Sequence, residues 1–222
     1  GSGQTSIPLQ FEPHQSFFIV FKKGETKAPV PGKENFPVVT NIATLNAPWV
    51  VAFDPQWGGP EKIVFDQLED WTTRPEEGIK YYSGIAAYSQ QFDLPEVDTK
   101  NKNAPIMLDL GEVKNLARVK LNGKDLGVVW TAPWQVDITG VVKPEKNMLE
   151  ITVANLWPNR LIGDEQLPDD GIKNGQWPDW LLQGKPRTSG RFTFTTYKHY
   201  QKDAPLLKSG LMGPVTIKQA EF

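Results

Sequence analysis

The sequence contains no cysteine, which excludes disulfides, thiol catalysis and cysteine-ligated zinc. It has only two histidines, His14 and His199, far apart and at no ligand spacing, so each reads as a surface or internally satisfied side chain rather than a metal ligand. Positive charge is not in excess. The net charge of −2 provides no basic field suited to a nucleic-acid backbone. No apolar run is long enough to span a bilayer. A Gly-x-Ser-x-Gly elbow, a Walker loop and a dinucleotide fingerprint are all missing. No signal-peptide pattern precedes Ile7, and Gly1-Ser2-Gly3 reads as a cloning remnant, so an export signal of the parent protein would lie outside these residues.

What remains fits a β-rich protein. The 222 residues suffice for one large all-β domain, or for a domain plus a smaller unit. The 19 prolines and 19 glycines suit a chain of many turns. Eight tryptophans exceed what a core of this size needs, so some of them are expected at a surface or an interface.

Period-two alternation recurs along the chain. Ile106, Leu108 and Leu110 share one face, as do Val119 and Leu121, and as do Leu149, Ile151 and Val153 with Glu150 and Thr152 outward. Asn122-Gly123 is a strong hairpin signal, because both residues tolerate positive φ. Further strands are predicted over 7–11, 15–23, 37–43, 49–53, 62–65, 85–94, 128–130, 136–138, 191–197 and 211–217. Two helical pieces are predicted, a turn at 68–71 and a short helix over 178–183, which has Pro178 at its start and Gly184 just past its end. Short strands with Gly/Pro punctuation indicate an all-β sandwich. The turn DPQWGGP at 54–60 supplies the expected boundary between a small N-terminal β-unit (1–58) and a larger jelly-roll domain (59–222).

The stretch NLWPNRLIGDEQLPDD, 155–170, is read as a long loop and is the strongest candidate site. Sugar binding needs a flat apolar platform for the C–H face of a pyranose and planar polar groups for its hydroxyls. Trp157 can supply the platform, and Asn159, Arg160, Asp164 and Glu165 can supply donors and acceptors. On the other reading, Trp157 plugs the sandwich edge and Arg160 pairs with Asp164 or Glu165 to hold the loop. Trp130 and Trp134 flank a proline turn and offer either a second stacking surface or a capped edge. Trp177 and Trp180, on one short helix, read as an interface. Asp164/Glu165 and Asp169/Asp170 are sequence neighbours, and nothing places the members of either pair across a bound sugar as a glycosidase requires. Acidic clusters of this kind also suit a structural Ca²⁺, but no EF-hand spacing supports one.

The segment IMLDLGEVKNLARVKLNGKDLGVVWTAPWQVDITGVVKPEKNMLEITVANLWPNRLIGDE (106–165) resembles the sugar-binding, galactose-binding-like jelly roll that accompanies glycoside hydrolases of family 2 and of the α-L-rhamnosidase type of family 106. GIKYYSGIAAY at 78–88 resembles the first strand of that module, 184–213 its closing strands, and SFFIVF at 16–21 the last strands of the domain before it. The resemblance implies a C-terminal part, or a free-standing relative, of a periplasmic or secreted bacterial polysaccharide-degrading enzyme whose catalytic residues reside in a separate barrel. The implied partners are a carbohydrate and that catalytic domain. It transfers no catalytic residue to this chain. Two functions follow from it: a non-catalytic carbohydrate-binding or domain-packing module, or a loop that completes an active site built mainly by another domain.

Overall fold

The computed structural model describes residues 6–11, 15–21, 36–94, 97 and 104–221. Twelve strands and three short helices follow one another as β1 (Val38–Thr44), β2 (Trp49–Ala52), β3 (Ile63–Phe65), α1 (Glu77–Lys80), β4 (Ile85–Phe92), β5 (Ile106–Asp109), β6 (Glu112–Lys114), β7 (Leu116–Leu121), β8 (Lys124–Val129), β9 (Gln135–Asp137), β10 (Asn147–Ala154), α2 (Pro158–Asp164), α3 (Asp179–Leu182), β11 (Gly210–Gly213) and β12 (Thr216–Glu221). The strands form a four-stranded sheet in the order β1-β12-β5-β9, a six-stranded sheet in the order β3-β2-β4-β10-β7-β8, and a small β11-β6 pair. The fold is an all-β jelly-roll sandwich.

Alternation sets the inner faces. Ala86, Tyr88 and Phe92 of β4, Leu149, Ile151 and Val153 of β10, and Ala117, Val119 and Leu121 of β7 are buried against Ile106 and Leu108 of β5 and Ile217 of β12. Each Val, Leu, Ile or Phe among them contributes roughly 1.5–3 kcal/mol on leaving water. The β7–β8 hairpin turns at Asn122 (φ 53°) and Gly123 (φ 82°), the left-handed pair that the sequence predicts.

Four expectations need correction. The strands assigned to a separate N-terminal unit are β1 and β2, which pair with β12 and β4, so both sheets run through the expected boundary and 54–60 is a turn within one sandwich. Residues 7–11 and 15–21 form no strand, and Phe18 lies open to solvent. The alternating segment 191–197 is not a strand either, because side chains occupy its backbone partners: Phe192 and Thr193 N–H donate to Asp164, and the carbonyls of Arg191 and Thr193 accept from Arg187. The stretch 155–170 is not a loop throughout, since α2 spans Pro158–Asp164. His14 and Gly1-Ser2-Gly3 lie outside the described residues.

A polar pin runs through the core. Trp71 Nε1 donates to Tyr88 Oη at 2.5 Å, and the backbone N–H of Leu211 donates to the same oxygen at 3.3 Å. Tyr88 thereby ties the six-stranded sheet to β11 and to the turn around Trp71, and burial pushes its phenol pKa up. Tyr88→Phe leaves two buried donors without an acceptor, at a cost of about 1–3 kcal/mol. The expected result is a melting temperature lowered by roughly 2–10 °C in a chain of this size, read by circular dichroism, with the β spectrum retained.

Candidate functional site

The stretch 155–170 begins where β10 ends, at one end of the sandwich. Asn155 fixes the exit from the sheet, accepting from Gly84 N at 2.9 Å and donating to Tyr82 O at 2.8 Å and Ser209 Oγ at 3.1 Å. Pro158 starts α2, where its missing N–H costs nothing. The helix packs so closely on Tyr81 that a Cβ on Gly163 would collide with Tyr81 and Arg160.

The polar residues of α2 turn inward. Asn159 is 1% exposed. Its side-chain amide pairs with the Leu207 backbone, donating to the carbonyl at 2.6 Å and accepting from the N–H at 2.8 Å. Arg160 and Asp164 form a buried ion pair at 3.1 Å one helical turn apart. Burial pulls the Arg160 pKa below the usual guanidinium value, and Asp164 opposes that shift. The second Asp164 oxygen accepts from Phe192 N, Thr193 N and Thr193 Oγ1 at 3.1, 2.7 and 2.6 Å. The Arg160 guanidinium also lies over the Phe192 ring, 4.8 Å from its centroid.

Glu165 is held by Arg191 at 3.0 Å and Lys198 at 2.7 Å. Asp170 is held by the Arg187 fork at 2.6 and 2.7 Å and by the Ser189 hydroxyl at 2.5 Å. These charges line a polar hollow of about 110 Å³, but they satisfy one another, so a ligand entering there would have to break ion pairs. Among the described residues, no three metal-capable side chains gather as a cation site would require.

The tryptophans divide into two kinds. Trp157 is 59% exposed and meets Trp57 edge to face, with centroids 6.2 Å apart. The two rings rim a cleft of about 330 Å³ over Asp54, Tyr82, Ser83, Gly84, Ile85, Ala154, Asn155 and Leu156. Trp130, 74% exposed, follows β8 at the same end of the sheet, two strands across from β10. Trp134 packs against the core, its Nε1 enclosed and without a hydrogen-bond partner. Trp177 and Trp180 both pack on Phe194, and Trp180 Nε1 donates to Asp170 O at 2.9 Å.

Of the seven residues predicted to bind sugar, the structure therefore leaves Trp157 and Trp130 open and turns Asn159, Arg160 and Asp164 inward, where 1%, 5% and 2% of their surface meets solvent. Glu165 is partly covered. Trp57 escaped sequence reasoning because it stands in a turn identified only by its glycines and prolines. A large ring in such a turn, on a surface carrying more tryptophans than a core needs, was the available signal.

Residues 77–189, just over half of the chain, match the family described as glycosyl hydrolase 2 galactose-binding domain-like, and the chain belongs to that family. A curated protein of Formosa agariphila, "Putative beta-glucuronidase", is 42% identical over 90% of this chain and 19% of its own length. The solved structure of a rhamnosidase from Novosphingobium sp. PP1Y shares 36% identity with a TM-score of 0.70, covering 84% of this chain and 16% of that one. The chain thus spans about a fifth or less of either relative's length.

The Asp170 clamp has a definite pH signature. The Arg187 fork, with Ser189 behind it, outweighs burial and holds the Asp170 pKa down at about 2, against about 3.9 for an unfolded aspartate. Its stabilisation is fully present above about pH 4 and is lost as pH falls through about 2. Asp170→Asn should lower the urea midpoint by a constant amount from pH 7 to pH 4, and the gap to the unmodified protein should then narrow toward pH 2.

Proposed function

We propose that this galactose-binding-like domain is a non-catalytic accessory module of a larger exported bacterial glycoside hydrolase of the α-L-rhamnosidase type, toward whose C-terminal end it lies. The observation that carries the reading is how the carboxylates of the best candidate site are spent. Asp164, Glu165 and Asp170 are each engaged by an arginine, and a general acid or nucleophile needs a carboxylate free to reach the glycosidic bond. Two of those ion pairs brace the chain from 165 to 209, which apart from α3 is almost without regular structure, and hydrogen bonds from Phe192 and Thr193 to Asp164 and between Asn159 and Leu207 dock it on α2. The 36% identity to a rhamnosidase supports the choice of parent.

The held segment displays a face suited to packing. Trp177, Leu181, Leu182 and Tyr197 are 47%, 42%, 68% and 70% exposed, and exposed apolar groups gathered on one segment mark an interaction surface. The catalytic domain of the parent is the partner we assign to it, with Trp177 and Trp180 at the contact.

The purified chain, incubated with aryl α-L-rhamnoside and aryl β-D-glucuronide, is expected to release aryl alcohol no faster than a protein-free control. Turnover that survives repurification and disappears in Glu165→Gln would contradict the accessory reading and favour a loop that takes part in an active site.

A further inference from the structure

The cleft between Trp57 and Trp157 is a corner of two indole rings with one negative charge beside it. The ring planes stand at 88° to each other, with centroids 6.2 Å apart, and Ile85 and Leu156 continue the apolar wall. The neutral polar side chains of the lining are committed to its frame. Tyr82 Oη accepts from Asp54 N–H at 3.1 Å and donates to the Ile85 carbonyl at 3.0 Å. Ser83 Oγ donates to the Leu156 carbonyl at 2.9 Å and accepts from Arg160 N–H at 3.1 Å. The Asn155 amide serves Gly84, Tyr82 and Ser209. Asp54 is the exception: Oδ1 accepts from Gln56 N–H at 2.9 Å, while Oδ2 has no partner among the described residues. No lysine or arginine lines the cleft to neutralise it. At about 330 Å³ the space falls in the size range of small-ligand pockets, roughly 300–1,000 Å³.

We infer that this cleft binds a small quaternary ammonium cation of the choline type. The positively polarised methyl groups of such a cation lie against indole faces, where the ring quadrupole attracts them, and two rings at a right angle offer the start of an aromatic cage. The Asp54 carboxylate supplies the counter-charge. A trimethylammonium group carries no N–H, so it asks for no hydrogen bond from a lining that has few to give. A primary ammonium brings three donors to one free side-chain acceptor and gives up water for the difference. A pyranose brings several hydroxyls and meets the same shortage. With both rings partly open to solvent, affinity is weak, on the order of millimolar. The inference goes beyond the accessory-module reading and does not rest on it.

An NMR titration of the isotope-labelled intact chain, followed through its indole N–H signals, tests it. The probes are choline, its uncharged isostere in which a tert-butyl group replaces the trimethylammonium, and methyl α-D-glucopyranoside. Choline is expected to shift the two signals that disappear in Trp57→Phe and Trp157→Phe, and to bind about fivefold or more tighter than the isostere. Trp157→Ala should weaken choline about fivefold. Asp54→Asn keeps the turn capped, since Asn caps as well as Asp, and should weaken choline about threefold while leaving the isostere unchanged. Phosphocholine binding as tightly as choline assigns the cation to a phosphorylated headgroup, and weaker binding assigns it to the free alcohol. If Trp157→Ala lowers the melting temperature, the isostere comparison and Asp54→Asn still decide. Equal binding of choline and its isostere, no binding of choline, tighter binding of the pyranoside, or a choline affinity indifferent to Asp54 overturns the inference.

Discussion

Arg160 and Asp164, two opposite charges taken out of water one helical turn apart, determine the course of the rest of the chain. Such a pair is no stronger than the apolar contact that could replace it, but breaking it strands a buried charge at a cost of about 3–5 kcal/mol. Asp164 has acceptor capacity to spare, and the structure spends it on the backbone of Phe192 and Thr193. That places Phe192 over Arg160 and against Gly58, where a Cβ would strike the ring. Asn159 repeats the device on Leu207. Between them, two side chains of α2 dock a segment that lacks a partner strand, and the charges at Glu165 and Asp170 tie down what lies between.

This explains both what the sequence disclosed and what it withheld. Strands such as β5, β7 and β10 were legible because each buries one face, and a slip of one residue would expose every apolar side chain. The Asn122-Gly123 turn was legible because few residue pairs accept its backbone. Residues 191–197 have the same alternation and form no strand, since hydrogen bonds to Asp164 and from Arg187 replace a ladder, and periodicity cannot tell which partner a backbone will find. Asn159, Arg160 and Asp164 pose the same problem from the other side. Residue types that suit a sugar also suit a buried polar network, and only the position of α2, signalled faintly by Pro158, decides between them.

The division of labour at this end of the sandwich follows from those physics. Polar side chains are consumed in building it, and aromatic rings are left over at its surface. Trp57 and Trp157 rim an apolar cleft, while Trp177 packs half-exposed on Phe194 of the clamped segment. On the proposed reading, a galactose-binding-like domain that spans about a fifth or less of its relatives serves a larger enzyme through surfaces rather than through chemistry of its own.

Amide hydrogen exchange at Phe192, Thr193 and Leu207, compared between the unmodified protein and Asp164→Ala, tests the central claim most directly. If Asp164 holds the segment, exchange at Phe192 and Thr193 accelerates by on the order of a hundredfold or more, in line with the loss of a buried ion pair, while strands β4 and β10 keep their protection. Unchanged exchange at Phe192 and Thr193 in a folded variant would contradict it, because the segment would then be held by something other than the α2 clamp.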